Sequence, residues 1–225
     1  MATSSHARCR KKDNLGGTQW GLRLRFSSEK AALLDIIISD RQKMSRRTLI
    51  KLINDTAAYF DRIISNIISL CSRKNDIPDE LCRLQAKTLQ TMKYKVQTAL
   101  GISKEHYQHS TMYPIYGSGQ GVGNSSTNWL FTSSPMMNAF EKNCKGCTMI
   151  SPNGDIKYSK YNLGFIDDKT QYANDWKNND IVKIKNNIQH AAQSWEELLY
   201  TSGRKLDISK CRMHIIAWTR DNDGT

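Results

Sequence analysis

The stretch from Asn179 to Gly203 constrains this chain most. Between a helix-starting Asn179-Asp180 pair and a helix-stopping Gly203, the apolar residues Ile181, Ile184, Ile188, Ala191, Trp195 and Leu198 recur on one face. That period describes a long amphipathic helix, which is stable only when another layer covers its apolar side. Short β-branched segments supply the layer: Thr48 to Asn54, Tyr161 to Ile166, Lys169 to Tyr172 and Met213 to Trp218. Helical patterns fill the intervals. One is expected over Ser28 to Met44, and a second carries Phe60, Ile63, Ile64, Ile67, Ile68 and Cys71. A third starts near Pro78, carries Leu81, Leu84, Leu89, Met92 and Val96, and stops at Gly101. The fourth spans Ser125 to Lys142, with a break expected at Ser134-Pro135. Asn153-Gly154 is the strongest hairpin signal. The order strand, helix, helix, hairpin, helix, strand predicts an α+β domain, an antiparallel sheet with helices on one face.

A length of 225 residues suits one sizeable domain. Residues 1–17 are polar and basic and end in Gly16-Gly17, which reads as a flexible basic arm. Lys plus Arg outnumber Asp plus Glu by 33 to 21, a net charge of +12 that favours polyanionic partners, nucleic acid first among them. A basic protein with no particular partner is the plainer alternative. The six cysteines are scattered, so no disulfide framework is expected. Cys144 and Cys147 have zinc-knuckle spacing without a second pair, and are read as reduced loop thiols. Apolar runs such as Ile36 to Ile38 fall far short of the roughly 20 residues a membrane span needs, and no signal peptide precedes them. A soluble intracellular protein with no membrane partner is expected. Nuclear or cytoplasmic placement is unmarked, since Arg8 to Lys12 suits a nuclear signal or a nucleic-acid arm alike.

Three acids raise the question of chemistry. Asp167-Asp168 lies at the tip of an apolar segment, where it is either a polar β-turn or a functional pair. Asp55 follows the strand Thr48 to Asn54, where it is either a helix N-cap or a second functional carboxylate. Carboxylates at the ends of neighbouring strands are what a two-metal phosphoryl-transfer site requires, because Mg²⁺ takes oxygen ligands and substrate phosphates.

With these acids go further segments that share one likeness. Asp55 is followed five positions on by Phe60 and then Asp61; Gly119-Gln120-Gly121 precedes Asn124-Ser125-Ser126 and Trp129. Gly164-Phe165-Ile166-Asp167-Asp168 has the aromatic-x-Asp-Asp pattern, and Gly203, Leu206 and Lys210 form a Gly-x-x-Leu-x-x-x-Lys segment. Gln19-Trp20-Gly21-Leu22-Arg23 stands upstream. In this order the segments resemble the palm of a reverse transcriptase, of the kind encoded by retroelements without long terminal repeats.

The resemblance implies a polymerase palm over 48–225, a partial fingers segment over 18–47 and no thumb. It implies an RNA-directed DNA polymerase that extends a DNA primer on an RNA template with deoxynucleoside triphosphates. Asp55, Asp167 and Asp168 would hold two Mg²⁺ ions, with Mn²⁺ able to substitute. Lys210 would neutralise or protonate the departing pyrophosphate, or is simply an exposed basic strand end. Phe60 would exclude a ribose 2′-hydroxyl, or is core packing on a helix face. Gln120 and Gly121 would let the backbone approach nucleotide and template, or belong to a flexible loop. Arg23 would touch the triphosphate. Ser126 and Pro135 depart from the family pattern. Together with the short fingers segment they leave open a catalytically silent palm that only binds nucleic acid. An RNA-dependent RNA polymerase is a third reading, against which Phe60 and Phe165 speak.

Overall fold

A computed structural model describes residues 18–21, 23, 26–57, 60–112, 116–118 and 123–218. The basic arm proposed for residues 1–17 lies outside them.

The sheet is built around β1 (Leu49–Asn54), whose Leu-Ile-Lys-Leu-Ile run suits a central strand. It pairs antiparallel with β10 (Asp168–Ala173) on one side and β12 (Arg212–Ile216) on the other, and β9 (Asn162–Phe165) closes the order β12-β1-β10-β9. Successive side chains face opposite ways. Ile50 and Ala173 therefore meet Ile184 and Ile188 of α5 (Ile181–Thr201). Leu49, Leu163 and Tyr172 point to the other side, against Ala31 and Ile38 of α1 (Ser28–Met44). The α5 stripe is covered as its period demands. Its start is fixed by Asp180, whose carboxylate accepts from the Val182 and Lys183 amides at 2.9 and 3.3 Å.

Behind the sheet, α5 packs on α4 (Ser125–Asn143) through Met136, Met137, Phe140, Cys144, Trp195 and Leu199. The break expected at Ser134-Pro135 does not occur: α4 runs on with Pro135 inside it. An interior proline costs about 3 kcal/mol, but every residue from Trp129 to Ser134 is buried, and that packing outweighs the loss. The Ser134 hydroxyl also donates to the Leu130 carbonyl at 2.7 Å.

Two further expectations are corrected. No helix begins behind Asp55. Instead β2 (Thr56–Ala57) pairs with β11 (Lys205–Leu206), Phe60 lies in a turn, and α2 starts only at Ser65 and runs to Lys74. The apolar spacing that suggested a longer helix is real, but Ile63 reaches the core from the turn, beside Ile68 and Trp129. Likewise α3 (Asp79–Thr91), which follows Pro78, ends well before Gly101. Beyond it β3 (Lys93–Tyr94) pairs with β6 (Tyr107–Gln108), and β4 (Gln97–Thr98) with β5 (Gly101–Ile102). The Tyr94 and Tyr107 rings stack at 5.3 Å, a cross-strand pair that a helix would separate.

The hairpin at Asn153-Gly154 forms between β7 (Cys147–Ile150) and β8 (Lys157–Lys160), with Gly154 at φ 83°. Cys144 and Cys147 are core residues rather than loop thiols. Burial pushes the Cys147 thiol up to about 12, far from the thiolate that binds metal.

Candidate active site

The antiparallel register that pairs Asn54 with Lys169 brings the next residue on one strand, Asp55, to the end of the sheet where β10 begins with Asp168. Asp167 precedes it in the tight turn from β9. Partial burial raises the carboxyl of Asp168 above the ordinary carboxylate range, and the charges of Asp167 and Asp55 add to the shift. Asp168 thus feels the charges of the other two acids. Among the described residues no three His, Cys, Asp or Glu side chains converge into a ready-made metal cage.

Lys210 closes the group. Its ammonium lies 3.3 Å from Asp55 Oδ2 and 3.7 Å from Asp207 Oδ2. The hydrogen bond and charge of Asp55, then the charge of Asp207, raise its pKa, so it stays protonated. The turn that carries it is anchored by the Asp207 amide, which donates to the Asp55 carbonyl at 3.0 Å. That bond continues the pairing of Leu206 with Thr56. Asp207 was not singled out from sequence, although it stands three positions before Lys210. The Ser209 hydroxyl, at 2.6 Å from Asp207 Oδ1, is the main cause holding its carboxyl low.

The turn of the acids is itself held under strain. Ile166 sits at φ 56°, a left-handed conformation that β-branched residues rarely adopt. Its carbonyl accepts from the Trp129 indole at 2.7 Å and the Gln19 amide at 3.1 Å. Trp129 comes from buried α4. Gln19 comes from an isolated parallel bridge to β9, where the Trp20 amide donates to the Gly164 carbonyl at 2.7 Å and the Gly164 amide to the Thr18 carbonyl at 2.9 Å. Two glycines make room. A Cβ on Gly21 would collide with the Ile166 backbone, and one on Gly164 with Met137. Gln19, Gly21 and Trp129 stand in the segments noted from sequence, but only the contacts reveal that they hold the turn.

Phe60 is half-buried against the Ile63, Ile68 and Trp129 cluster, which Ile166 also borders. Its carbonyl accepts from the Ser118 amide at 2.9 Å, and the Gly117 amide donates to Ile63 at 2.9 Å. Gly117, at φ 97°, lies so close that a Cβ would stand 2.5 Å from Asp61 Cα. Across the loop, the Ser125 hydroxyl bonds the Ser118 carbonyl at 2.9 Å. Both ends of the Gly-rich loop are therefore tied beside Phe60; Gln120 and Gly121 themselves lie outside the described residues. The Arg23 guanidinium lies over the Phe26 ring at 4.8 Å and donates to the Gln19 carbonyl at 3.4 Å.

Solved structures of telomerase share this arrangement of strands and helices. The apo enzyme of Candida tropicalis, truncated from its C-terminal domain, superposes with a TM-score of 0.61 at 14% identity, over 98% of this chain and 40% of that one. The fold is reverse-transcriptase-like. Telomerase of Candida tropicalis in complex with a TWJ fragment of telomeric RNA gives 0.58 at 12% identity, over 95% of this chain and 32% of that one. The corresponding Candida albicans complex gives 0.53 at 11%, over 97% and 34%. The chain thus spans 40% or less of the length of these neighbours. No protein-family model and no curated protein sequence matches it significantly. Among the described residues no helix is long and apolar enough to cross a membrane.

Proposed function

We propose that this chain is the polymerase core of an RNA-directed DNA polymerase, which extends a DNA primer on an RNA template with deoxynucleoside triphosphates. The observation that carries the reading is the strand register that brings Asp55 to the end of the sheet where Asp167 and Asp168 stand, the pKa of Asp168 being raised first by burial and further by the charges of the other two. The basic excess of the chain suits a polyanionic template, and two of the telomerase neighbours are complexes with RNA. The order of the motif segments further suggests an origin in a retroelement without long terminal repeats.

All three acids offer oxygen donors, and their mutual repulsion is relieved by a hard divalent cation, so the donor set fits Mg²⁺ or Mn²⁺. When bound, two such ions would activate the primer hydroxyl and stabilise the leaving pyrophosphate. Asp55, Asp167 and Asp168 would hold them. Lys210, protonated beside Asp55, would give its proton or its charge to the departing pyrophosphate. Phe60 would lie under the sugar and reject a 2′-hydroxyl; Gln120, Gly121 and Arg23 would face nucleotide and template.

The test is extension of an oligo-dT primer on poly-rA with dTTP and Mg²⁺ or Mn²⁺ at low salt. Extension that disappears in the Asp167→Ala/Asp168→Ala variant supports the reading. A second reading has two observations in its favour: Lys210 occupies Asp55, and among the described residues no cage is formed in advance. A silent palm of that kind would bind the duplex equally with or without its acids, and would extend nothing.

A further inference from the structure

At the end of β10 remote from the acids lies a polar cavity that the polymerase reading leaves unused. Its volume is about 370 Å³, within the range of small-ligand sites. Its walls come from the lead into β7, the junction of β8 and β9, the loop after β10 and the first turns of α5, with Lys145, Tyr161, Trp176, Lys177, Lys183 and Asn187 among them. β10 itself separates this cavity from Asp168 by about 20 Å at the usual rise of an extended strand.

Charge and shape there point one way. Lys183 is tied to the buried carboxylate of Asp175 at 3.2 Å. Burial disfavours that carboxylate's charge, but the hydrogen bond and charge of Lys183 outweigh burial and hold its pKa low. Lys145 and Lys177 have no carboxylate partner among the described residues, and Lys157, outside the lining, holds its Nζ 4.8 Å over the Trp176 ring. Three lining ammonium groups face the carboxylate of Asp175, with that of Asp180 at the start of α5 nearby, and the positive excess is one a phosphate would relieve. An inorganic anion needs no aromatic wall. Here the half-buried Trp176 lines the cavity with the Nζ of Lys157 4.8 Å and that of Lys177 5.4 Å from its ring, and it is the kind of side chain on which a base stacks in exchange for a lysine.

We propose that this cavity binds one nucleotide of a single-stranded RNA or DNA, its phosphate on Lys145 and Lys177 and its base against Trp176. The inference rests on the nucleic-acid reading above, and it gives that reading a second anchor, far from the acids, for an unpaired strand.

The test uses the full chain and two labelled ligands, a single-stranded 15-mer of uridine and a blunt primer–template duplex, followed by fluorescence anisotropy. The Lys145→Gln/Lys177→Gln variant should weaken the 15-mer at least tenfold, Trp176→Ala should weaken it severalfold, and the duplex should bind both variants within twofold of the parent. Each lost phosphate contact lowers the salt slope for a single strand by about 0.7, and because Lys145 and Lys177 share one phosphate the double variant should lose about 0.7. Uridine monophosphate is the second arm: tryptophan quenching that the Trp176→Ala variant loses, as strong with the nucleotide as with the 15-mer, would identify a free nucleotide as the occupant and overturn the single-strand assignment. Equal weakening of 15-mer and duplex, or no weakening of either, would overturn the proposal. Absence of primer extension with the 15-mer result intact would instead count against the polymerase reading alone.

Discussion

The strained turn that carries Asp167 and Asp168 depends on a single carbonyl held by two donors, and this dependence can be measured. Ile166 at φ 56° stores about 1–3 kcal/mol of backbone strain. Its carbonyl receives the Trp129 indole at 2.7 Å and the Gln19 amide at 3.1 Å. Trp129→Phe removes one donor and some buried ring area, for a loss of about 2 kcal/mol. Gln19→Met removes the other while keeping the length of the side chain, and should cost about 1 kcal/mol or less, since Gln19 Oε1 is itself buried without a partner. Either single variant keeps one of these two donors; the double variant keeps neither. The double loss should therefore exceed the sum by about 1 kcal/mol. Urea unfolding reads this directly: with a slope of about 2 kcal/mol/M, the excess is about 0.5 M of midpoint. Extension should fall about 100-fold in the double variant as the acids lose their placement. Additivity within about 0.5 kcal/mol would refute the shared-carbonyl argument.

Four further outcomes are expected. Because the folded state raises the pKa of Asp168, it holds that proton more tightly than the unfolded chain; the parent then loses stability as pH rises from about 3.9 through the folded value. Asp168→Asn should raise the thermal midpoint at neutral pH while abolishing extension, and Mg²⁺ should raise the midpoint of the parent only. Lys210→Met should slow single-turnover extension by about 100-fold or more with little change in the melting curve, since the Lys210 end of its ion pair to half-buried Asp55 is exposed. Lys169 is fully buried, its Nζ 3.3 Å from the Trp195 ring centroid and 3.4 Å from that of Phe140, and burial drives its pKa well down. Lys169 by itself should add stability as pH rises from its folded value towards about 10.4, and Lys169→Met should remove that share, read as the difference between parent and variant urea midpoints across the alkaline range, since Lys160, Tyr172 and Cys147 contribute to both. Phe60→Ala should raise ribonucleotide incorporation relative to deoxyribonucleotide in the extension assay; an unchanged ratio would remove the gate from Phe60.

Where sequence and structure agree, one physical pattern dominates the segment. The α5 stripe from Ile184 to Trp195 is one-sided over its whole length, and Asp180 and Gly203 mark its ends with capping chemistry. β1, β9 and β10 are short and bounded by turn residues, and the register of their acids follows from pairing alone. Failure came where two patterns overlap. Phe60, Ile63 and Ile64 have helical spacing, yet Thr56 and Ala57 find a strand partner in Leu206 and Lys205, and no helix starts until Ser65. Met92 and Val96 continue the spacing of α3, while Tyr94 and Thr98 alternate as a strand does, and the stacking of Tyr94 on Tyr107 accompanies the strand solution. Pro135 obeyed its local rule in sequence and lost to the burial of α4 in space. The site divides in the same way. Asp55, Asp167, Asp168 and Lys210 announce themselves by type and spacing. Their support does not: a tryptophan on a buried helix and a glutamine nearly 150 residues away in sequence meet at one carbonyl, because β9 carries Gly164 where only a glycine lets Gln19 and Met137 approach. Such a contact is written in no local pattern, and any substitution at Gly164 must displace one of those side chains before it touches an acid.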